Sequence, residues 1–135
     1  MSPGGRIVIT LALALTPWAQ AALAQTAARK ASDAAALLRG EQIYARCAAC
    51  HAIEANRTGP QHCGLFGRRA GTAPGFDTYS KAMRDSKIVW NGGSLEAFLA
   101  APTQAVPGTT MALVGMTSAA ERTAIINYLK SAPKR

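Results

Sequence analysis

The sequence contains few cysteines, few acidic residues and no long apolar run beyond its N-terminal segment. Its three cysteines are too few for a disulfide scaffold, and their odd number requires a separate explanation. No run of roughly 18 apolar residues lies in the body of the chain, which excludes a multi-span membrane protein. The 49% content of hydrophobic residues excludes a disordered chain, and a length of 135 residues predicts one domain.

Acidic residues are outnumbered by basic ones, 7 against 15, so the formal charge is +8. The basic residues are scattered, and they form no stripe that alternates with aromatic side chains as in nucleic-acid-binding proteins. We therefore expect no nucleic acid as a partner. A partner protein with an acidic docking surface fits better, because net charge accelerates encounter without fixing specificity.

The N-terminal segment has the pattern of an export signal. Arg6 is followed by an apolar run over residues 7–15, a break at Pro17 and the small-x-small sequence of residues 22–24. These features predict a signal peptide over residues 1–24 and export to the periplasm. An uncleaved membrane anchor is the competing interpretation, and the short apolar run and Pro17 argue against it.

The remaining chain begins with a leader and a helix. Residues 25–32 are expected to be flexible, and residues 33–135 are expected to form the domain. Apolar side chains recur at helical spacing after Asp33, which predicts a helix over residues 33–48. Ser32 is the expected N-cap of this helix, because its hydroxyl can accept a hydrogen bond from a free backbone N–H.

The rest of the domain alternates short helices with long loops. Helices are predicted at residues 79–85, after the N-cap Ser94, and after a capping box at residues 118–121. Residues 52–75 and 101–110 are rich in Gly and Pro and are predicted loops. The result is a small all-α protein, and loops of this length in a small domain indicate that they surround a bound group.

Residues 47–51 read Cys-Ala-Ala-Cys-His, the spacing of covalent haem attachment. Residues three apart near a helix end face the same side, so Cys47 and Cys50 can form thioethers with the two vinyl groups of a porphyrin. His51 can then place its imidazole over the iron. A dithiol redox pair is disfavoured because the motif follows a helix rather than a strand. A zinc site is disfavoured because only the adjacent His-Cys pair at positions 62 and 63 remains as ligands.

Met111 is the candidate for the sixth iron ligand. It ends a Val-Pro-Gly-Thr-Thr-Met segment at residues 106–111, well downstream of the haem motif. Ligation by histidine and methionine favours reduced iron, raises the potential and closes the iron to substrates. The competing interpretation is that Met111 is a core residue. Met83 and Met116 are weaker candidates, one in a helical stretch and the other five residues beyond Met111.

With these features the chain resembles the class I c-type cytochromes, in particular the mitochondrial and bacterial c2-like group. The similar blocks are residues 40–44, 58–60, 64–68, 73–76, 82–86, 88–90, 107–111 and 121–130. The resemblance implies a small cytochrome c fold, with helices and long loops around one haem c bound covalently through Cys47 and Cys50. It also implies that His51 and Met111 are the axial ligands of the iron.

The resemblance implies roles for further residues. Pro60 would accept a hydrogen bond from the ring N–H of His51 and so orient that ligand. Arg68 would neutralise the haem propionates in the interior. Three residues would bond the propionates: Tyr79, Trp90 and Thr109. Gly40 and Tyr44 would pack against the last helix.

Several positions depart from the family pattern. Phe98 stands where many members have a tyrosine whose hydroxyl lies near the methionine sulfur. His62 stands where an apolar residue usually contacts the haem, and a polar ring there needs a partner or water. Residues 102–104 and Thr110 lack the lysines of many members, whereas Arg46 keeps a basic position. The basic ring around the haem edge is therefore thinner than usual.

These observations predict a soluble one-electron carrier, not an enzyme, whose haem iron cycles between ferric and ferrous states. Its partners would be membrane or periplasmic oxidoreductases with acidic docking surfaces, and its own docking surface would be the haem edge near Arg46, Cys47 and residues 109–111. The alternatives are an electron-transfer subunit of a larger dehydrogenase and a haem sensor or peroxidase with an open iron site. We expect a monomer, and the third thiol, Cys63, would allow a disulfide-linked dimer.

Overall fold

The structure is a computed structural model that describes residues 16–133. The chain divides into two units, residues 1–32 and 33–135. Five helices are found in the described part: α1 (Pro17–Tyr44), α2 (Lys81–Asp85), α3 (Gly92–Ala100), α4 (Pro102–Ala105) and α5 (Ala119–Ser131). The described residues contain no strand and only one isolated antiparallel bridge, between Arg69 and Val89. The all-α class is therefore confirmed.

Helix α1 begins and ends earlier than the sequence patterns predict. It begins at Pro17, so residues 25–32 lie within the helix and Ser32 is not an N-cap. Proline suits the first turn of a helix, and the alanine-rich sequence that follows has high helix propensity. The helix ends at Tyr44 rather than at residue 48.

The predicted export signal lies mostly outside the described residues. Arg6 and the apolar run over residues 7–15 fall in the part of the chain that is not described. Among residues 16–133, no helix is both long and apolar enough to cross a membrane.

The caps of the later helices agree only in part with the prediction. Helix α3 is capped by Asn91, and Ser94 is the N3 residue of that capping box, so the predicted N-cap is wrong by three residues. Residues 102–105 form the one-turn helix α4 inside a predicted loop. Ser118 caps α5 as predicted, with its side chain accepting a hydrogen bond from the backbone N–H of Glu121.

The C-terminal end of α1 packs directly against α5. A Cβ atom at Gly40 would lie 2.4 Å from the carbonyl oxygen of Ala124 and 2.6 Å from Cβ of Tyr128, so only glycine allows this crossing. One turn later, the rings of Tyr44 and Tyr128 are 5.3 Å apart. The predicted packing of Gly40 and Tyr44 on the last helix is confirmed, and it brings the haem motif beside α5.

Residues 51–80 contain no helix, and backbone hydrogen bonds to the segment before α3 hold part of this long loop in place. The N–H of Gly67 donates to the carbonyl of Trp90 at 2.8 Å, and the N–H of Trp90 donates to the carbonyl of Arg68 at 2.9 Å. The N–H of Ala70 donates to the carbonyl of Ile88 at 2.8 Å. These bonds fix the loop around the cavity described below.

Candidate functional site

A cavity of about 580 Å³ lies within the second unit, a size typical of ligand sites. Its apolar wall comes from α3, α5 and the loops: Leu65, Trp90, Leu95, Phe98, Leu99, Met116, Ile125 and Leu129. All nine predicted site residues contribute to the wall: Cys47, Cys50, His51, Pro60, Arg68, Tyr79, Trp90, Thr109 and Met111. The structure therefore brings together residues that span more than sixty positions of sequence.

The Cys-x-x-Cys-His segment leaves α1 in hydrogen-bonded turns. The N–H of Cys47 donates to the carbonyl of Tyr44 at 2.8 Å, and the N–H groups of Cys50 and His51 both donate to the carbonyl of Cys47, at 3.1 and 2.9 Å. Cys47 is half-buried and Cys50 is exposed, and neither is in a disulfide. This geometry presents both thiols and the imidazole to one cavity.

His51 is held tightly by the loop that follows it. The carbonyl oxygen of Pro60 lies 2.7 Å from Nδ1 of His51, as predicted for an oriented metal ligand. A Cβ atom at Gly59 would lie 2.4 Å from Cε1 of the ring, so the glycine lets the backbone lie against it. Burial lowers the pKa of His51, and the bond to Pro60 opposes this shift. The ring is therefore neutral at pH 7, the form that binds a metal, and Nε2 is free to do so.

Three methionines line the cavity: Met83, Met111 and Met116. Met83 is buried on α2, and the backbone N–H of Met116 is bound to the carbonyl of Leu99 at 2.8 Å. Met111 is half-buried in an irregular segment, where its N–H donates to Oγ1 of Thr109 at 3.3 Å. Assignment of Met111 as an iron ligand stays a prediction.

The predicted propionate-binding side chains have partners within the protein. Arg68 donates to the carbonyls of Gln61 and Cys63, both at 2.9 Å, and burial lowers its pKa. The hydroxyl of Tyr79 accepts a hydrogen bond from the N–H of Ala73 at 3.2 Å, and burial raises its pKa. These contacts fix both side chains at the cavity wall, and their predicted roles toward propionates remain predictions.

Two side-chain pairs near the motif were not predicted from the sequence. The hydroxyl of Tyr44 lies 3.1 Å from Nδ1 of His62, and the ring of His62 stacks on His51 with ring centroids 4.5 Å apart. Arg46 donates to both carboxylate oxygens of Glu121, at 3.0 and 2.7 Å. Both pairs join residues far apart in sequence, so no local pattern indicates them.

The cavity suits a large, mostly apolar group with a metal at its centre. The wall is mostly apolar with a polar minority, and among the described residues every buried side-chain nitrogen and oxygen has a hydrogen-bond partner. The donor set offers an imidazole with one free nitrogen, a choice of thioethers and two thiols. These are the ligands and attachment groups of a haem c.

Residues 37–133 match the family model described as cytochrome c. The chain belongs to the cytochrome c family. Members of this family carry one covalent haem c and transfer electrons, and Cys47 and Cys50 of this cytochrome occupy the two cysteine positions of the attachment motif. Haem c as the cofactor, and the resemblance to class I c-type cytochromes, are thereby confirmed.

Known relatives cover most of this cytochrome. A cytochrome c from Chlamydomonas reinhardtii is 41% identical over 100 residues, which are 71% of this chain and 88% of that protein. A cytochrome c2 from Agrobacterium tumefaciens is 41% identical over 97 residues, 67% of this chain and 86% of that protein. The solved structure of cytochrome cH from Methylobacterium extorquens is 38% identical, has a TM-score of 0.67, and covers 70% of this chain and 96% of its own. The predicted cytochrome c fold is confirmed.

Proposed function

We propose that this cytochrome is a one-electron shuttle with a six-coordinate iron, held by His51 and Met111 and attached through Cys47 and Cys50. The observation that carries the proposal is the single cavity that all four residues line. When bound, the haem supplies a reversible change between ferric and ferrous iron. Ligation by histidine and methionine would favour the ferrous form and leave no open position for a substrate.

The protein's own residues hold and insulate that centre. Pro60 fixes the rotation of the His51 ring, and Gly59 lets the loop approach it closely. The apolar side chains of α3 and α5 exclude water, which limits rearrangement of the surroundings when the charge of the iron changes. Arg68, Tyr79, Trp90 and Thr109 supply the polar part of the wall, where propionates would lie.

The shuttle is favoured over a haem enzyme or sensor by the position of the second histidine. Peroxide chemistry would need an acid–base group on the open side of the iron. The chain has two histidines, and His62 stacks on His51 and is bound to Tyr44. The ring of His62 thus lies on the side of the proposed axial histidine, so it is no candidate for that group.

Export to the periplasm and redox-protein partners complete the proposal. The N-terminal sequence pattern supports export with a signal peptide over residues 1–24. The charge of +8 supports partners with acidic surfaces. A free shuttle and a bound subunit of a larger dehydrogenase differ in whether a partner co-purifies with the cytochrome.

Absorption spectra of the haem-loaded protein, oxidised and reduced, test the closed site. We expect a low-spin spectrum with the far-red sulfur-to-iron band and no change on addition of carbon monoxide. Met111→Ala should remove the far-red band and allow carbon monoxide to bind, whereas Met83→Leu, the matched change at another wall methionine, should do neither. A high-spin wild-type spectrum or prompt binding of carbon monoxide would contradict the proposal.

A further inference from the structure

The wall beside His51 carries a partly buried polar pair whose presence the proposed shuttle does not require. His62 comes from the loop after Pro60, and Tyr44 is the last residue of α1. Their contact joins Nδ1 of the imidazole to the phenol oxygen at 3.1 Å. Withdrawing polar groups from water, even partly, costs free energy unless they bond each other, and an aliphatic side chain at position 62 would avoid the cost.

His62 also contacts the proposed axial ligand directly. The two imidazole rings are nearly parallel, at 18°, with centroids 4.5 Å apart. His51 is thus restrained at Nδ1 by the carbonyl of Pro60 and on one ring face by His62. The hydrogen bond to Tyr44 in turn restrains His62, so α1 determines the orientation of that second contact.

Tyr44 is itself held in place by α5. Its ring is 7% exposed and lies 5.3 Å from the ring of Tyr128 and 5.6 Å from that of His62. Burial raises the pKa of Tyr44 to about 12, so the phenol stays protonated and can donate to Nδ1 of His62. A chain of contacts therefore runs from the crossing of α1 and α5 to the proposed iron ligand.

We propose that His62 is a positioning residue for the axial histidine: held by Tyr44, it fixes the plane of the His51 ring and keeps a polar group beside that ligand. The inference rests on the proposed function, since it takes His51 as the ligand. Polar surroundings favour the more highly charged ferric state over the ferrous one. The pair therefore lowers the reduction potential relative to an aliphatic residue at position 62.

Two variants and their combination test this inference at one fixed pH. The reduction potential of the haem-loaded protein is measured by voltammetry, and the ring orientation by electron paramagnetic resonance of the ferric state. His62→Leu should raise the potential, increasing the equilibrium constant for reduction by a reference couple about three- to tenfold. Tyr44→Phe should raise the reduction potential by a smaller amount. In the double variant it should cause no change beyond that of His62→Leu alone.

Tyr128→Phe is the matched control. It removes a phenol hydroxyl from the same aromatic cluster, but Tyr128 does not line the cavity and its ring contact is with Tyr44. We expect it to leave the potential and the resonance signal unchanged. If His62→Leu does not fold, the comparison of Tyr44→Phe with Tyr128→Phe still tests the role of the Tyr44–His62 hydrogen bond. Tyr44→Phe removes only the hydroxyl and preserves the ring and its packing.

The outcomes separate this inference from the function on which it rests. A low-spin wild-type spectrum with unchanged potentials and resonance signals in both variants would overturn the role of His62 and leave the shuttle intact. Additive effects of the two substitutions would overturn the Tyr44–His62 link. A wild-type protein with open iron would contradict the shuttle itself, whatever the variants do.

Discussion

Cys63 is a buried thiol with a specific partner at the end of the chain. Its Sγ donates to the carbonyl of Pro133 at 3.1 Å, and the residue is 5% exposed. A thiol must reach solvent as the thiolate to attack a disulfide or a reagent. The contact therefore disfavours a dimer linked through a disulfide at Cys63, and the monomer stays a prediction.

Thiol titration is the first test at the scale of single residues. In the native haem-loaded protein, Cys63 should react at least about a hundredfold more slowly than after denaturation, because reaction requires local opening. The denatured protein should titrate one thiol per chain, since Cys47 and Cys50 are consumed as thioethers. Three reactive thiols would contradict covalent attachment, and rapid native reaction would contradict the burial of Cys63.

Residue patterns in the sequence predict the site better than they predict the contacts that support it. The haem motif and the candidate ligand Met111 have signals that are local in sequence. The Tyr44–His62 contact depends on where a distant loop returns to α1, which no local pattern encodes. Glu121 shows the same limit: it matches a capping box, but its carboxylate binds Arg46, 75 positions away.

At the scale of helices, the sequence predicts the presence of a helix more successfully than the residues at which it begins and ends. Helix α1 extends to Pro17 because nothing in the alanine-rich sequence stops it. Both Asn91 and Ser94 can cap a helix, and in the structure they cap α3 together, with Asn91 as the N-cap. Each difference arises where the local sequence permits more than one helix end.

The crossing of α1 and α5 predicts a large effect for a single methyl group. Gly40→Ala would place Cβ against the backbone of Ala124, which must move, and we expect a loss of about 1–3 kcal/mol in the free energy of unfolding. This loss is measured by urea unfolding. Gly93→Ala on α3 is the control, because its Cβ would meet only a side-chain oxygen at 3.4 Å, and it should be neutral or stabilising. Equal effects of the two changes would contradict the close crossing.

The ion pair between Arg46 and Glu121 predicts a pH dependence. The hydrogen bonds from Arg46 lower the pKa of Glu121 below its usual 4.5 in the folded state. A lowered folded pKa stabilises the protein above the unfolded value and loses this effect as pH falls through the folded value. Glu121→Gln should therefore lower the melting temperature at neutral pH. The difference in melting temperature from the wild type should vanish once the pH lies below the folded-state pKa of Glu121.

The matched background for this comparison is Arg46→Gln. Without the guanidinium, Glu121→Gln should produce no pH-dependent difference in melting temperature between neutral and acid solution. A pH-dependent difference that persists in this background would show that another group lowers the pKa of Glu121. The Arg46 side chain is largely exposed and that of Glu121 partly so, and the effect is therefore small and weakens with salt.

For the whole molecule, charge is unevenly distributed relative to the cavity. The sequence carries no charged residue between Glu96 and Glu121, the stretch that includes Met111. Val114, three residues beyond Met111, is 99% exposed. Arg46, the basic residue expected at the docking edge, is paired with Glu121. Under the proposed shuttle, the net positive charge would act on a partner at long range, while the loop around Met111 would offer a neutral contact.

This distribution predicts how electron transfer responds to salt. The rate with a small anionic oxidant should fall only gradually with ionic strength in the wild type. Val114→Lys should raise that rate about twofold or more at low ionic strength and should steepen the salt dependence. Asn127→Lys makes the same charge change on α5, outside the loop, and should have little effect. Stopped-flow kinetics measures the rates, and equal responses of the two variants would contradict a docking surface in the loop around Met111.

The position of α5 in the cavity wall has a consequence for how the haem-loaded protein forms. Ile125 and Leu129 belong to that wall, so the wall is incomplete until α5 has docked on Gly40. While α5 is undocked, the side of the cavity that it closes stays open to a large planar group. We therefore expect covalent attachment at Cys47 and Cys50 to precede the docking of α5, so that attachment comes first and closure last.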